Sequence, residues 1–177
     1  DLIMVRSSVM GRRGPCSDYS TTGNVIAAFT GLNTMMGFPD EPPIGMGTAH
    51  PDYSSNPHHT AVAILAALHF RRRTGLGQYI DLALLDTQVA WLANQAMNYL
   101  VSGQPPTRQG TAHPNIVPYQ AFATADGHLM LAVGNDAQFE RFCRAAGAAE
   151  LAADARFTTN AERVAHRTVL VPAVEEL

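Results

Sequence analysis

The 177-residue chain carries 12 Lys plus Arg against 15 Asp plus Glu, a net charge of −3, so it lacks the basic excess of a general nucleic-acid binder. Apolar residues make up 46% and charged residues 15%, the composition of a packed protein rather than a disordered one. Two distant cysteines, Cys16 and Cys143, offer neither a disulfide framework nor paired zinc ligands, and no leader-like start or membrane-length apolar run is visible, so the expectation is a soluble cytoplasmic protein.

The chain opens on Leu2-Ile3-Met4-Val5, read as a short buried strand over residues 2–6, followed by a Gly/Arg/Pro loop. Val25, Ile26, Phe29, Leu32 and Met36 suit one face of a helix over 22–36, ended by Gly37. A Pro- and Gly-rich segment, 38–47, is too irregular for regular structure. The next helix has Asn56 as a natural N-cap, Pro57 at its first position, and Ala61, Ile64, Leu65 and Leu68 as one stripe. Arg71, Arg72 and Arg73 complement the negative end of its dipole, although they could also meet phosphates, and Gly75 supplies the left-handed stop.

Residues 78–84 alternate as a strand. Asp86 or Thr87 can cap a further helix with Val89, Leu92, Ala93, Ala96, Met97 and Leu100 on its buried side. Linker composition over 103–110 places a domain change between 101 and 116. Beyond it, two apolar strands flank Asp126-Gly127, a strong hairpin signal, and Asn135 caps a helix carrying Phe139, Phe142 and Cys143. Both ends read as cut through structure, so the expectation is a piece of a longer protein.

The segment His50-Pro-Asp52-Tyr-Ser-Ser-Asn56-Pro57 is the most informative. It places Asp52 on a loop four residues ahead of the expected cap, where a helix dipole favours a charged carboxylate. An ionised, desolvated carboxylate can act as a covalent nucleophile; the plainer alternative is that Asp52 only shapes the turn.

Two stretches carry a family resemblance. Gly37-Phe-Pro-Asp-Glu-Pro-Pro with Asp52, then Ala63-Ile-Leu-Ala-Ala-Leu-His-Phe-Arg-Arg-Arg-Thr-Gly-Leu-Gly-Gln-Tyr-Ile-Asp-Leu-Ala-Leu-Leu-Asp86, closely resembles the class III CoA-transferases, the CaiB/BaiF family. Pro114-Asn-Ile-Val-Pro-Tyr-Gln-Ala-Phe-Ala-Thr-Ala-Asp-Gly127 resembles the same family further along. The family's catalytic aspartate follows the glycine of a Thr-Gly-Phe-like turn by fifteen residues, and counting from Gly37 reaches Asp52.

The resemblance implies an α/β fold: a Rossmann-like large domain, here 1–100 with the catalytic aspartate, a linker over 101–116, and the beginning of a small α/β domain over 117–177. It implies an acyl-CoA donor, a free carboxylic acid acceptor, coenzyme A thioester as substrate rather than a permanently bound cofactor, and an interlocked homodimer. Asp52 would pass through an anhydride and an aspartyl-CoA thioester. Ser20 and Thr22 would lie near the thioester or the CoA arm, with a plain surface or capping role as the alternative.

Four other readings compete with this one. Related racemases use a histidine thirty residues before the aspartate, but that position here is Thr22. His50, His58 and His59 cluster in sequence, yet adjacent histidines point to different helix faces and no HExxH spacing occurs, so no metal is expected. Trp91, Phe139 and Phe142 fit core packing better than a cofactor box. A non-catalytic assembly piece is the remaining alternative, and no residue decides which acids would be exchanged.

Overall fold

Strand β1 (Ile3–Ser8) pairs in parallel with β2 (Gln78–Ala83), Ile3 opposite Gln78 and Ser8 opposite Ala83. Parallel neighbours cannot be joined by a tight turn, so the chain must travel back along the sheet between them. The computed structural model describes residues 1–177, in two compact units, 1–108 and 109–177. In the first unit the crossover contains helices α1 (Gly23–Phe29), α2 (His50–Tyr53) and α3 (Ser55–Thr74). Helix α3 makes the return. Asn56 Nδ2 near its start donates to Ser7 Oγ at 3.5 Å, and Arg71 Nη1 near its end donates to the Asp1 carbonyl at 3.4 Å.

Two glycines fit the end of that crossover. Gly75 takes φ 75° as the left-handed C-cap of α3. At Gly77 a Cβ would overlap the Leu2 backbone, so the strands approach closely there. After β2 come α4 (Leu84–Val89), a 3-10 turn (Ala90–Leu92) and α5 (Ala93–Ser102). Arg108 Nε donates to Phe38 O and its Nη1 to Thr34 O, both at 3.1 Å, which pins the Pro/Gly-rich loop.

Several expectations change. Strand β1 is not buried: Leu2, Met4 and Val5 are exposed, because the pairing of just two strands leaves sheet faces open. The helix expected over 22–36 ends at Phe29; Gly31 turns left-handed at φ 83°, and a separate 3-10 turn covers Asn33–Met35. Of its expected stripe, Ile26 is fully buried, whereas Val25 and Phe29 are exposed. Asn56 and Pro57 lie inside the first turn of α3, whose N-cap is Ser54.

The inward stripe of α3 is Thr60, Ala63, Ile64, Ala67 and Leu68; Ala61 and Leu65 face out. Residues 61–68 are apolar all round, so periodicity cannot choose the face. Asp86 and Thr87 sit within α4 rather than capping it; Val89 is exposed because Thr87 and Gln88 take the inward positions, and Met97 and Leu100 on α5 are exposed too. Trp91 is also exposed, at 39%. No helix is long and apolar enough to cross a membrane.

The second unit begins with an antiparallel hairpin, β3 (Tyr119–Thr124) and β4 (Gly127–Ala132). Thr124 pairs with Gly127, so the turn residues are Ala125 and Asp126 rather than Asp126-Gly127. Thr124 Oγ1 donates to Asp126 Oδ1 at 3.2 Å and ties the turn together. Helix α6 (Asp136–Ala145) is capped as expected: Asn135 Oδ1 accepts from Gln138 N at 2.9 Å, and Gln138 Oε1 accepts from Gly134 N at 2.6 Å. Helices α7 (Ala149–Ala153), α8 (Asn160–Ala165) and α9 (Arg167–Glu175) complete the unit. Its core joins Val117, Phe122, Phe139, Cys143, Phe157 and Leu170. Burial pushes the Cys143 thiol above its usual range.

The unit's organising polar group is Arg163, completely buried on α8. Nε donates to Val117 O at 2.8 Å, Nη1 to Phe157 O at 2.9 Å and Nη2 to Asp136 Oδ1 at 2.8 Å. The guanidinium also lies 4.6 Å from the centre of the Phe139 ring. One side chain thus ties the lead-in to β3, the turn before α8 and the start of α6. Replacing Arg163 with Met should destabilise this unit by about 3–5 kcal/mol, because buried acceptors lose their donors. Urea unfolding followed by circular dichroism checks this, and an unchanged midpoint would refute it.

Candidate active site

Asp52 lies in α2, a single turn that leads through Ser54 into α3. Pro51 favours this turn, since its ring presets the backbone near the helix start, where few intrahelical N–H donors are needed. Asp52 N donates to Ala49 O at 2.9 Å, and both the amide and the Oγ of Ser54 donate to His50 O at 3.1 Å. The aspartate therefore belongs to a formed turn two residues ahead of the α3 cap, not to an open loop four residues ahead.

Helix α2 packs against α1, α3 and α4. Pro51 is fully buried beneath it. Ser55 Oγ, also buried, donates to the Thr87 carbonyl and ties the start of α3 to α4. On the outer side the His50 ring meets Trp91 edge to face, centroids 5.4 Å apart at 65°. These contacts fix the turn from which the carboxylate projects.

The carboxylate itself lies against the start of α1. A Cβ built on Gly23 would overlap Asp52 Cγ and both of its carboxylate oxygens. Asp52 is half-buried, and its Oδ1 is shut off from solvent without a hydrogen-bond partner in the chain. None of the ion pairs involves Asp52. At the same place the first intrahelical bonds of α1 run from Val25 N and Ile26 N to Thr22 O, each at 3.0 Å. The amides of Gly23 and Asn24 thus precede the helix's own bonding, as at any helix start.

Buried polar atoms without partners are uncommon and point to places built for something else. Ser8, Asn33, Asp52, Asn56 and Gln88 hold the unpaired ones here, and all five lie in the first unit. Gln88 is the extreme case, 1% exposed with both amide atoms unpaired. Asn56 lies in the first turn of α3 and Gln88 on α4, two of the helices packed against α2, and Ser8 ends β1.

The other sequence candidates divide. Thr22 is exposed, forms the N-cap position of α1 without a side-chain cap, and immediately precedes Gly23, so its segment reaches Asp52. Ser20 is exposed in the extended lead-in to that helix. His58 and His59 do not converge with His50: their Nδ1 atoms meet the carbonyls of Ser54 and Ser55 one turn back. No group of three or more His, Cys, Asp or Glu side chains is placed to hold a metal ion. Sequence reasoning missed Gly23, Ser55 and Gln88. None carries a local signal: Gly23 meets Asp52 29 residues away and Ser55 meets Thr87 32 residues away.

Residues 1–177 match the family described as CoA-transferase family III. The chain belongs to that family. It is 46% identical over 166 residues to the succinate–glutarate CoA-transferase of Agrobacterium fabrum, covering 94% of this chain and 41% of the relative. It is 34% identical over 175 residues to the acetyl-CoA:oxalate CoA-transferase of Acetobacter aceti, covering 99% and 45%. Among solved structures, a CaiB/BaiF family protein from Brucella suis aligns with TM-score 0.74 at 43% identity, over 99% of this chain and 46% of that one. A hypothetical protein from Mycobacterium tuberculosis aligns with TM-score 0.83 at 28% identity, over 98% and 46%. The chain thus spans less than half the length of these relatives.

In this family III chain, the bond from Ser55 to Thr87 O is the polar tie between α3 and α4 beneath α2. Ser55→Ala leaves that carbonyl without its donor and should destabilise the whole protein by about 1–3 kcal/mol. Thermal unfolding of the full-length variant measures this; an unaltered melting temperature would mean that the contact contributes nothing.

Proposed function

We propose that the protein transfers coenzyme A from an acyl-CoA donor to a free carboxylic acid, with Asp52 as the nucleophile that carries the acyl group. The observation that supports this best is the state of its carboxylate, held by packing against Gly23 yet unpaired by any cation or donor. A carboxylate locked in an ion pair would give up part of its nucleophilicity.

The reaction balances without an outside reagent. An Asp52 oxygen attacks the donor thioester carbonyl, the C–S bond breaks, and CoA thiolate leaves a mixed anhydride. The thiolate attacks Asp52 Cγ, the bond from Cγ to the bridging oxygen breaks, and the donor acid departs as a carboxylate. The acceptor carboxylate then attacks Cγ of the aspartyl thioester, expelling thiolate and forming a second anhydride. Thiolate attack on the acceptor acyl carbon releases the new acyl-CoA and restores Asp52. One carboxylate enters and one leaves, so no net proton transfer or nucleotide hydrolysis is required.

The relatives are named for succinate, glutarate and oxalate, which favours dicarboxylic acids as the exchange partners. Thr22, at the head of α1, offers a hydroxyl where the racemase reading needs an imidazole. Coenzyme A is a substrate in this scheme, with Ser20 and Thr22 near its thioester arm, and no cofactor stays bound. We place 1–100 in a Rossmann-like large domain, 101–116 in a linker and 117–177 in a small domain, in a cytoplasmic homodimer of interlocked chains. Exposed Met4, Leu65, Tyr79 and Leu100 support such assembly, as apolar faces that further chain or a second copy would cover.

In the full-length protein, Asp52→Ala and Asp52→Asn should each lower kcat by about 1,000-fold or more, as expected for loss of a covalent nucleophile. Hydroxylamine added during turnover should convert Asp52 into a hydroxamate detectable by peptide mass spectrometry. Wild-type transfer in Asp52→Ala would refute the assignment. Rapid deuterium uptake at the α-carbon of a 2-methylacyl-CoA without any acceptor acid would favour isomerisation instead.

A further inference from the structure

Gly23 is the first residue of α1, and it is buried. Its backbone lies outside the left-handed region, so no unusual φ calls for glycine. Glycine is a poor helix residue, less favourable than alanine by roughly 1 kcal/mol in a helix interior. What the position does require is space, because a Cβ would occupy the volume of the Asp52 carboxylate. The neighbouring residue supplies no compensating cap, since the Thr22 side chain makes no capping hydrogen bond.

We infer that Gly23 is a positioning residue for Asp52: its missing side chain forms the seat that holds the carboxylate at the mouth of α1. The inference rests on the nucleophile reading above and adds the means by which that nucleophile is aimed. The seat is steric, so it restricts rotation of the carboxylate without engaging its lone pairs. Any side chain at 23 must push the carboxylate off the α1 backbone or shift α1 against α2. Gly23 touches Asp52, not the reacting thioester, so its replacement acts on the chemical step more than on acyl-CoA binding.

The test uses the full-length protein with Gly23→Ala, Asp52→Ala and the double variant. Gly23→Ala should lower kcat by about 100-fold, the scale of an ångström-sized misplacement, while KM for acyl-CoA stays within about threefold. The hydroxamate yield at Asp52 should fall in parallel. Stability provides a readout that a merely structural glycine would not give. Gly23→Ala should lower Tm in the wild-type background, yet leave it unchanged or raise it in the Asp52→Ala background, where the clashing atoms are gone and alanine is the better helix former.

A kcat within threefold of wild type for Gly23→Ala, or an equal Tm drop in both backgrounds, would overturn the inference while leaving the nucleophile reading intact. A double variant that fails to fold would overturn it too, since the space would then serve something other than Asp52. Full activity of Asp52→Ala alone would bring down the nucleophile reading and any catalytic meaning of Gly23 with it.

Discussion

The parallel pairing of β1 with β2 is the constraint from which the first unit follows. Because the strands run the same way, residues 9–77 must leave the carboxyl end of β1 and re-enter at the amino end of β2. Helix α3 performs the return, held at one end by Asn56 to Ser7 and at the other by Arg71 to the Asp1 carbonyl. Whatever precedes α3 is therefore delivered to the carboxyl end of the strands. Asp52 is among those residues. Open parallel sheets commonly gather ligand sites at that end, where loops and helix starts converge and backbone amides are still free. The position of the candidate site is thus a consequence of strand polarity, and the clustering of unpaired polar atoms on Ser8, Asn56 and Gln88 has the same origin.

The two units solve burial differently. The second gathers an apolar core around a fully buried arginine each of whose three nitrogens donates a hydrogen bond, although Leu129, Met130 and Val169 stay exposed. The first leaves apolar side chains exposed on β1, α1, α3 and α5, and leaves polar atoms unpaired in its interior. A buried unpaired amide such as Gln88 costs roughly 1–3 kcal/mol. A fold carries that cost most readily where a ligand or another part of the protein supplies the missing partner. Of the unpaired polar atoms, those of Asn56 and Gln88 lie on α3 and α4, helices that pack against α2, which carries Asp52.

Much of this was legible in the sequence, and the misses share a cause. Local signals with a single physical meaning survived: Gly75 as a left-handed stop, Asn135 as a cap, and the strand over 78–83. Periodicity failed where apolar residues surround a helix, as on α3, because every face then looks inward. It also failed over 22–36, where Gly31 cuts the pattern before its last members. The shift of the hairpin turn to Ala125-Asp126 came from register, which is decided by pairing across strands. Asp52 is a candidate through the family resemblance and its spacing from Gly37, and its place in a helical turn was not foreseen. Gly23 and Arg163 depend on contacts across 29 and 46 residues, and such contacts leave no local pattern.

In the proposed mechanism the Asp52 carboxylate alternates between anhydride and thioester, and it then faces two demands that pull against each other. It has to be held, since a nucleophile free to rotate seldom meets its carbonyl in line. It has to stay electronically available, since each strong hydrogen bond or cation that holds it also stabilises its charge and lowers its reactivity. Steric confinement meets both demands, because van der Waals contact restricts orientation without drawing on the lone pairs. The Asp52 environment has that character, with a backbone surface at Gly23 on one side, a locked turn beneath, and no cation beside it. An arginine or lysine in the same place would hold the carboxylate more firmly and make it a worse nucleophile. In the proposed mechanism, the missing side chain at residue 23 therefore counts as much as the carboxylate at residue 52.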